Sequence, residues 1–400
     1  MFFYNFSRHF MKKLLSLFVL SSLLMLAACS SITELKSDLS DKIFGREVAD
    51  APDPLAEIKE TATSKVLWQA KVGAAGDSDF IPVVEAGYAY AASADGEVLK
   101  LDASNGSQLW RVNTGEPISG GVGVGGSLVM VGTQKGTVYA YDIAGKLQWK
   151  SKLSSEVLSA PKYFDGLVIV RTGDSRIFGI NANDGSRKWV YERTVPALTL
   201  RSSAGVVVDS GVVYAGFAGG KLAAVRADNG KMLWEASVAQ PKGVTEIERI
   251  ADITSLPFVD GPLIYAVAYQ GKIAAIDRVS GRVVWNRDIS SLSGLSAEDA
   301  RIFVSHAMGS VYALDYTTGK TFWRQAVLKN RHLTAPVPMG SLIAVGDMEG
   351  YVHFLGREDG AVASRVKTNN SAILPQMALI NSNTVLAQTR DGGIFAIQVK

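Results

Sequence analysis

The chain has 400 residues, 47% hydrophobic and 20% charged, with 41 basic side chains, 38 acidic ones and a single cysteine. Four hundred residues could hold two or three ordinary domains, and one cysteine excludes an internal disulfide. The basic excess is no nucleic-acid signature, because Arg8, Lys12 and Lys13 lie in the first 28 residues, which hold no acidic residue; the remainder carries 38 basic against 38 acidic side chains.

In chain order, the first element is a targeting segment. Arg8, Lys12 and Lys13 precede an apolar run from Leu14 to Leu26 that closes on Leu26-Ala27-Ala28-Cys29. A charged start, a short apolar stretch and small residues before a cut predict a signal peptide over residues 1–28, too short for a comfortable membrane span. Met11-Lys12-Lys13 offers a second start with a tidier signal. Leu26–Cys29 resembles a bacterial lipobox, so Cys29, the only cysteine, is expected to carry lipid as the mature N-terminus. Several acyl chains hold a protein stably at a membrane where one does so marginally. Ser30 follows where Asp would retain such a protein at the inner membrane, so the expected location is the outer membrane, facing the periplasm. Residues 29–64, rich in Ser, Lys, Asp and Glu, read as the lipidated cysteine and a polar tether, with room for a short helix over Leu55–Lys65.

From residue 65 to 400 one phrase repeats. Its clearest copy runs from Gly309 to Trp323: a glycine, an alternating strand (Val311, Ala313 and Asp315 one way, Tyr312 and Leu314 the other), a Gly-containing turn, then a strand with Trp. All seven tryptophans, Trp68, Trp110, Trp149, Trp189, Trp234, Trp285 and Trp323, occupy the same place in it, and a further copy has Ser364 there. The chain opens with the second half of a copy, Val66-Leu67-Trp68, and ends with the first half, Gly392–Ile397. Seven whole copies and two halves of about 40 residues predict an all-β fold: an eight-bladed β-propeller of four-stranded antiparallel blades, its ring closed by pairing of N- and C-terminal strands. A Trp at one site per blade is expected as a wedge between neighbours. Burying its ~150–250 Å² contributes roughly 4–6 kcal/mol at most.

Function is sought where copies deviate. Trp-to-Trp intervals are 42, 39, 40, 45, 51 and 38 residues. The distance from Trp to the next blade's first turn glycine is 17 for Trp149–Gly166 and Trp323–Gly340, but 22 for Trp189–Gly211 and 27 for Trp234–Gly261. The extra residues therefore sit in two consecutive outer-to-inner connections, which must emerge side by side on one face. The first holds Leu198, Leu200 and Arg201, either the core face of the next inner strand or apolar anchors with an Arg for a protein partner. The second holds Glu246, Arg249 and Asp252, either a solvated charged turn or direct contacts.

The Ala-x-Asp-x-x-x-Gly-Lys-x-x-Trp repeat resembles the PQQ-like propeller superfamily. With the lipobox, and with Leu198–Arg201, Thr245–Arg249, Leu333–Val337 and Gly346–His353, it is similar to the BamB family, lipoprotein subunits of the outer-membrane β-barrel assembly (Bam) machinery. That resemblance implies a non-enzymatic scaffold that binds the POTRA domains of BamA and aids delivery of nascent barrel proteins. It carries Leu198, Leu200, Arg201 and Asp252 as BamA-facing, with Thr254 where family members can have a second acid. Strand addition of unfolded clients at exposed blade edges is a further expectation.

Two other classes are weighed against it. PQQ-dependent dehydrogenases share the blades but use an adjacent Cys–Cys pair, Ca²⁺ and a catalytic Asp; here no second cysteine exists. His306, His332 and His353 lie on separate segments without metal-ligand spacing, so no catalytic residue, metal or cofactor is expected. The Gly-rich Ser119–Gly126 reads as a tight turn, not a phosphate cradle. The remaining alternative is a propeller that binds a small ligand or glycan in its central channel.

Overall fold

A computed structural model describes residues 51–400 apart from Val195 and Ala197. The expected signal peptide and Cys29 lie outside the described residues, as does most of the expected tether. Among the described residues there is no helix; of Leu55–Lys65, where a short one had room, residues 55–63 carry no regular element and Ser64 begins a strand.

The chain forms eight four-stranded antiparallel sheets, as the repeat count requires. Blade 1 is β2 (Val83–Glu85), β3 (Tyr88–Ala92), β4 (Glu97–Asp102) and β5 (Gln108–Asn113). Blade 2 runs from β6 (Ile118–Gly125) to β9 (Leu147–Lys152), and blade 3 from β10 (Lys162–Phe164) to β13 (Arg187–Tyr191). Blade 4 runs from β14 (Val206–Asp209) to β17 (Met232–Ser237), and blade 5 from β18 (Phe258–Asp260) to β21 (Val283–Arg287). Blade 6 runs from β22 (Leu295–Glu298) to β25 (Thr321–Gln325), and blade 7 from β26 (Val337–Met339) to β29 (Val362–Lys367). Blade 8 is β30 (Ala378–Asn381), β31 (Thr384–Gln388) and β32 (Gly393–Val399), completed by β1 (Ser64–Lys71). The first strands of successive blades touch from β2 round to β26, and β30 returns to β2, so these strands line the axis. β1 pairs with β32 from Ser64–Val399 to Lys71–Gly393, closing the ring without a covalent link.

The hydrophobic core lies between blades. Each of the eight apolar clusters draws on two successive blades; one joins Tyr214, Leu222 and Trp234 of blade 4 to Ile264, Ala266 and Ile276 of blade 5. The tryptophans explain how neighbours are fastened. Every indole N–H donates to a carbonyl in the next blade's last hairpin turn: Ala103, Ile143, Ala182, Ala227, Arg278, Tyr316 and Arg357, at 2.7–3.1 Å. The ring lies under that turn's glycine. A Cβ on Gly106, Gly145, Gly185, Gly230, Gly281, Gly319 or Gly360 would meet the preceding blade's Trp at 2.5–3.1 Å. Gly319, at φ +68°, also needs the left-handed conformation that side chains disfavour, so this glycine serves both the turn and the joint.

The outer strands depart from simple alternation. In every blade the residue before the Trp position is a β-bulge, unpaired across the ladder: Trp323 faces Ala313, Thr321 faces Leu314, and Phe322 is extra. The bulge aims Trp inward and leaves Leu109, Leu233, Val284 and Phe322 outside. It also explains the small residue two positions before the repeat's Asp in blades 2, 5 and 6, since Ala140, Ala275 and Ala313 sit opposite Trp. Blade 7 inverts the pair: Ser364 faces Phe354. Ser364 has no Trp because blade 8 has no last hairpin for one to dock on. Two chain ends lie there instead, Thr63 and Lys400 exchanging N–H···O bonds of 2.9 Å, and Ser364 bonds Ser64 Oγ at 2.7 Å.

One expectation is corrected. Ser119–Gly126 is mostly strand β6, with the turn only at Gly126-Ser127. Its glycines allow close approach: a Cβ on Gly120 would collide with the main chain of Val157 and Ser159, and one on Gly123 with Pro161.

Trp234→Ala should cost about 3–5 kcal/mol in denaturant unfolding, because it opens a cavity between blades 4 and 5. Deleting the last eight residues removes the strand that joins β31 to β1, and should abolish the cooperative transition of the whole domain.

Candidate functional site

In a blade whose strands alternate in direction, the outer-to-inner connections and the turns between second and third strands share one end of the ring. The turns that receive Trp occupy the other end. The two long connections, residues 192–205 and 238–257, therefore emerge together on the first of these ends. Among the described residues neither contains a strand, so Leu198 and Leu200 are loop residues and not the core face of β14.

The first connection is gripped at its base. Arg171 and Arg193 lie on Phe217, each 4.9 Å from the ring centre, a stacking that favours a cation over an aromatic face. Arg193 pairs with Glu235 at 3.1 Å, and Arg171 donates to Ala204 O at 2.6 Å. Beyond that base Leu198 is 44% exposed and Leu200 is half-buried. Arg201 projects outward, its Nε 3.5 Å from Glu156.

The crown of the second connection is a single capped turn. Thr245 Oγ1 accepts the Glu248 N–H at 3.2 Å, and Glu248 Oε2 accepts the N–H groups of Val244 and Thr245 at 2.8 and 3.1 Å, the reciprocal pattern of a helix start. Those backbone bonds hold the Glu248 carboxyl below its usual range. Arg249 braces the turn through Gly243 O at 3.1 Å and Glu246 at 3.3 Å. Glu246 and Arg249 are solvated and face each other. The turn lifts two apolar side chains absent from the sequence-based candidates, Val244 (89% exposed) and Ile247 (67%). Their signal was an apolar residue on either side of Thr245-Glu246 in a loop that has no core to fill.

Asp252 requires a correction. Expected as an acidic contact, it is only 4% exposed. Its Oδ2 accepts the Leu200 N–H at 2.7 Å and its Oδ1 the Gly219 N–H at 3.0 Å. It is a positioning residue that ties the second connection to the first and sets where Leu198–Arg201 stand. Thr254 donates to Leu292 O at 3.0 Å, again a link between neighbouring connections.

Beside the loops, at the mouth of the channel, lies a cavity of about 390 Å³ whose lining includes Asp79, Leu200, Arg201, His306, His332 and Arg390. Asp79 and Arg390 pair in its wall at 3.0 Å. Among the described residues no three His, Cys, Asp or Glu side chains converge as metal ligands would.

The motif Gly346–His353 folds into blade 7 as a buried polar network. Asp347, fully buried, accepts Arg331 Nε at 2.8 Å, His353 Nε2 at 2.9 Å, and the N–H groups of Glu349 and Tyr351 at 2.9 and 3.0 Å. Burial raises the Asp347 carboxyl, but these bonds, His353 first, outweigh it and hold it below the usual range. Burial pushes His353 below its ordinary value of 6.5, so the ring is neutral, with the proton on Nε2 and Nδ1 without a partner.

An eight-bladed ring of PQQ-like repeats, with an apolar and cationic loop face, defines the class: a propeller scaffold built for contact. A sequence profile for "Outer membrane protein assembly factor BamB" matches residues 49–117, 94–325 and 307–400. The chain belongs to this family. It is 39% identical to the BamB of Nitrosomonas eutropha over 386 residues, 96% of this chain and 94% of that one. The crystal structure of BamB from Moraxella catarrhalis superposes with a TM-score of 0.78 at 31% identity, covering 84% of this chain and all of that one. The family is one of assembly factors, and the chain is accordingly a non-enzymatic accessory protein. Quinohemoprotein alcohol dehydrogenase from Comamonas testosteroni (TM-score 0.67, 13% identity, 84% of this chain and 76% of that one) shares the fold alone.

Asp252→Ala leaves two N–H groups without a charged acceptor, each such bond being worth ~1.5–3 kcal/mol. Denaturant unfolding should show a loss of that order, and hydrogen exchange should show the Leu200 amide exposed; Arg201→Glu, at an exposed pair, should change stability by less than about 0.5 kcal/mol. Between the depressed folded value of His353 and 6.5 the unfolded chain binds the extra proton, so stability should fall as pH drops through 6.5. In His353→Gln that slope, read from unfolding curves across this range, should flatten.

Proposed function

We propose that the protein is a scaffold of the Bam machinery whose long-connection face binds the periplasmic POTRA domains of BamA. As a BamB-family member it is an outer-membrane-associated component of that machinery. In this reading residues 1–28 are removed, Cys29 carries lipid in the outer membrane, and the propeller faces the periplasm. The observation that carries the proposal is the pairing of two enlarged connections, locked together by Asp252. They hold Leu198 and Arg201 on the first connection, and Val244 and Ile247 on the second, exposed on one end of the ring. Apolar side chains on a braced loop bind with little ordering cost, and a central Arg supplies both packing and charge. Delivery of unfolded barrel proteins to the machinery follows from the same position.

The test is binding of the mature chain to the soluble POTRA region of BamA. Arg201→Glu should weaken binding by at least about tenfold, a loss of ~1.4 kcal/mol or more, with folding unchanged. Strong binding untouched by the variant would move the interface elsewhere. No binding by the unaltered chain would sink the assignment and favour the second reading, a small ligand or glycan in the 390 Å³ cavity at the channel mouth.

A further inference from the structure

The network around Arg331 has one more neighbour. Residues 52–63 run along blade 7. At the start of this strap, the Asp53 carbonyl accepts Arg331 Nη1 at 2.7 Å, the Asp53 side chain accepts Asn330 Nδ2 at 3.3 Å, and its N–H approaches Lys329 O at 3.4 Å. Midway, Leu55 packs on the apolar cluster between blades 6 and 7, and Arg365 bonds the Ala56 carbonyl. At the far end Thr61 and Ala62 donate to Ala363 O at 2.9 and 3.2 Å.

These contacts give the strap a direction. Lys329–Arg331 belongs to the connection that enters blade 7, on the end of the ring that carries the two long connections. Ala363, the second residue of β29, lies at the opposite end. The strap thus crosses the whole height of the blade, antiparallel to β29, before the chain turns back as β1. It covers the one blade that lacks a Trp.

The grip at Asp53 is set within the blade. Arg331 is 1% exposed, with Nε on Asp347 and Nη2 on Glu349. The guanidinium is planar and rigid, so these two carboxylates aim Nη1 at one point. A buried guanidinium nitrogen without an acceptor is costly, and the Asp53 carbonyl supplies one.

We propose that the Arg331–Asp347–Glu349 network is a socket that clamps the polypeptide at Asp53, so that the membrane tether leaves the propeller from the face that carries the long connections. The membrane half of this statement rests on the lipid anchor of the proposed function; the clamp does not. The anchored protein therefore holds its partner-binding end on the tether side, and the strap prevents the tether from leaving at β1, on the opposite end.

The test measures spin-label distances between Ala51→Cys and Val279→Cys in the full chain purified from membranes; Val279 is 88% exposed on the opposite end of the ring. The clamp predicts a narrow distance distribution. A Gly-Ser-Gly-Ser insertion between the exposed Lys59 and Glu60 should leave it unchanged, because residue 53 stays seated. Arg331→Lys, which keeps the charge but cannot bridge three acceptors as a fork, should broaden it. A broad distribution in the parent, or broadening caused by the insertion, overturns the clamp even if Arg331→Lys fails to fold. A narrow distribution in folded Arg331→Lys overturns the socket. Thiol counting before labelling separates the membrane half: two reactive thiols support lipid on Cys29, whereas a third removes the anchor, and the clamp is then read in the same chain with Cys29→Ser.

Discussion

The contact on which the ring depends is the indole of one blade seated beneath the last hairpin of the next. It combines a directional bond, N–H to carbonyl, with the burial of a large flat surface against a turn that only glycine lets approach. Because the contact repeats at seven junctions, each blade's orientation is set by its neighbour. A four-stranded sheet with two apolar faces then has nowhere to expose them. The eighth junction cannot use the device, since its hairpin is split between the chain's ends. There the backbone takes over, through the β1–β32 ladder and the Thr63–Lys400 pair.

A ring made rigid in this way can vary its connections at little cost to the fold. The first of the two long ones is braced from beneath by arginines on Phe217, and a buried carboxylate ties the second to it. Their apolar tips need no burial of their own to stay in place. This is the arrangement a contact surface requires: exposed apolar chemistry at the tip, fixed geometry at the base. Blade 7 carries the opposite specialisation. Its polar network turns inward and holds the N-terminal strap, whose start at Asp53 lies on the same end of the ring as the two long connections.

The fold was legible because a repeat states the same constraint many times. Trp, the turn glycine and the small residue opposite Trp recur at fixed spacing, and the spacing alone counts the blades. The insertion lengths likewise placed both enlarged connections on one face. What sequence could not reveal was which loop residues point outward. Asp252 and Glu246 are both acids in one polar loop, yet Asp252 is buried on two backbone N–H groups and Glu246 is solvated. Val244 and Ile247 read as ordinary apolar residues until a single capped turn proved to lift them away from any core. Ser119–Gly126 looked like a turn because glycines mark turns, whereas here they mark a strand squeezed against a neighbouring backbone.

By itself, then, the sequence determined the blade count, the closure of the ring by its two ends, and the positions of the wedges and long connections, since each follows from local periodicity and counting. The tertiary structure alone decided the roles of Asp252, Arg331 and Asp347 and the path of residues 52–63. Whether a charged side chain meets water or a backbone N–H depends on groups dozens to hundreds of residues away, which only the closed ring brings within bonding distance.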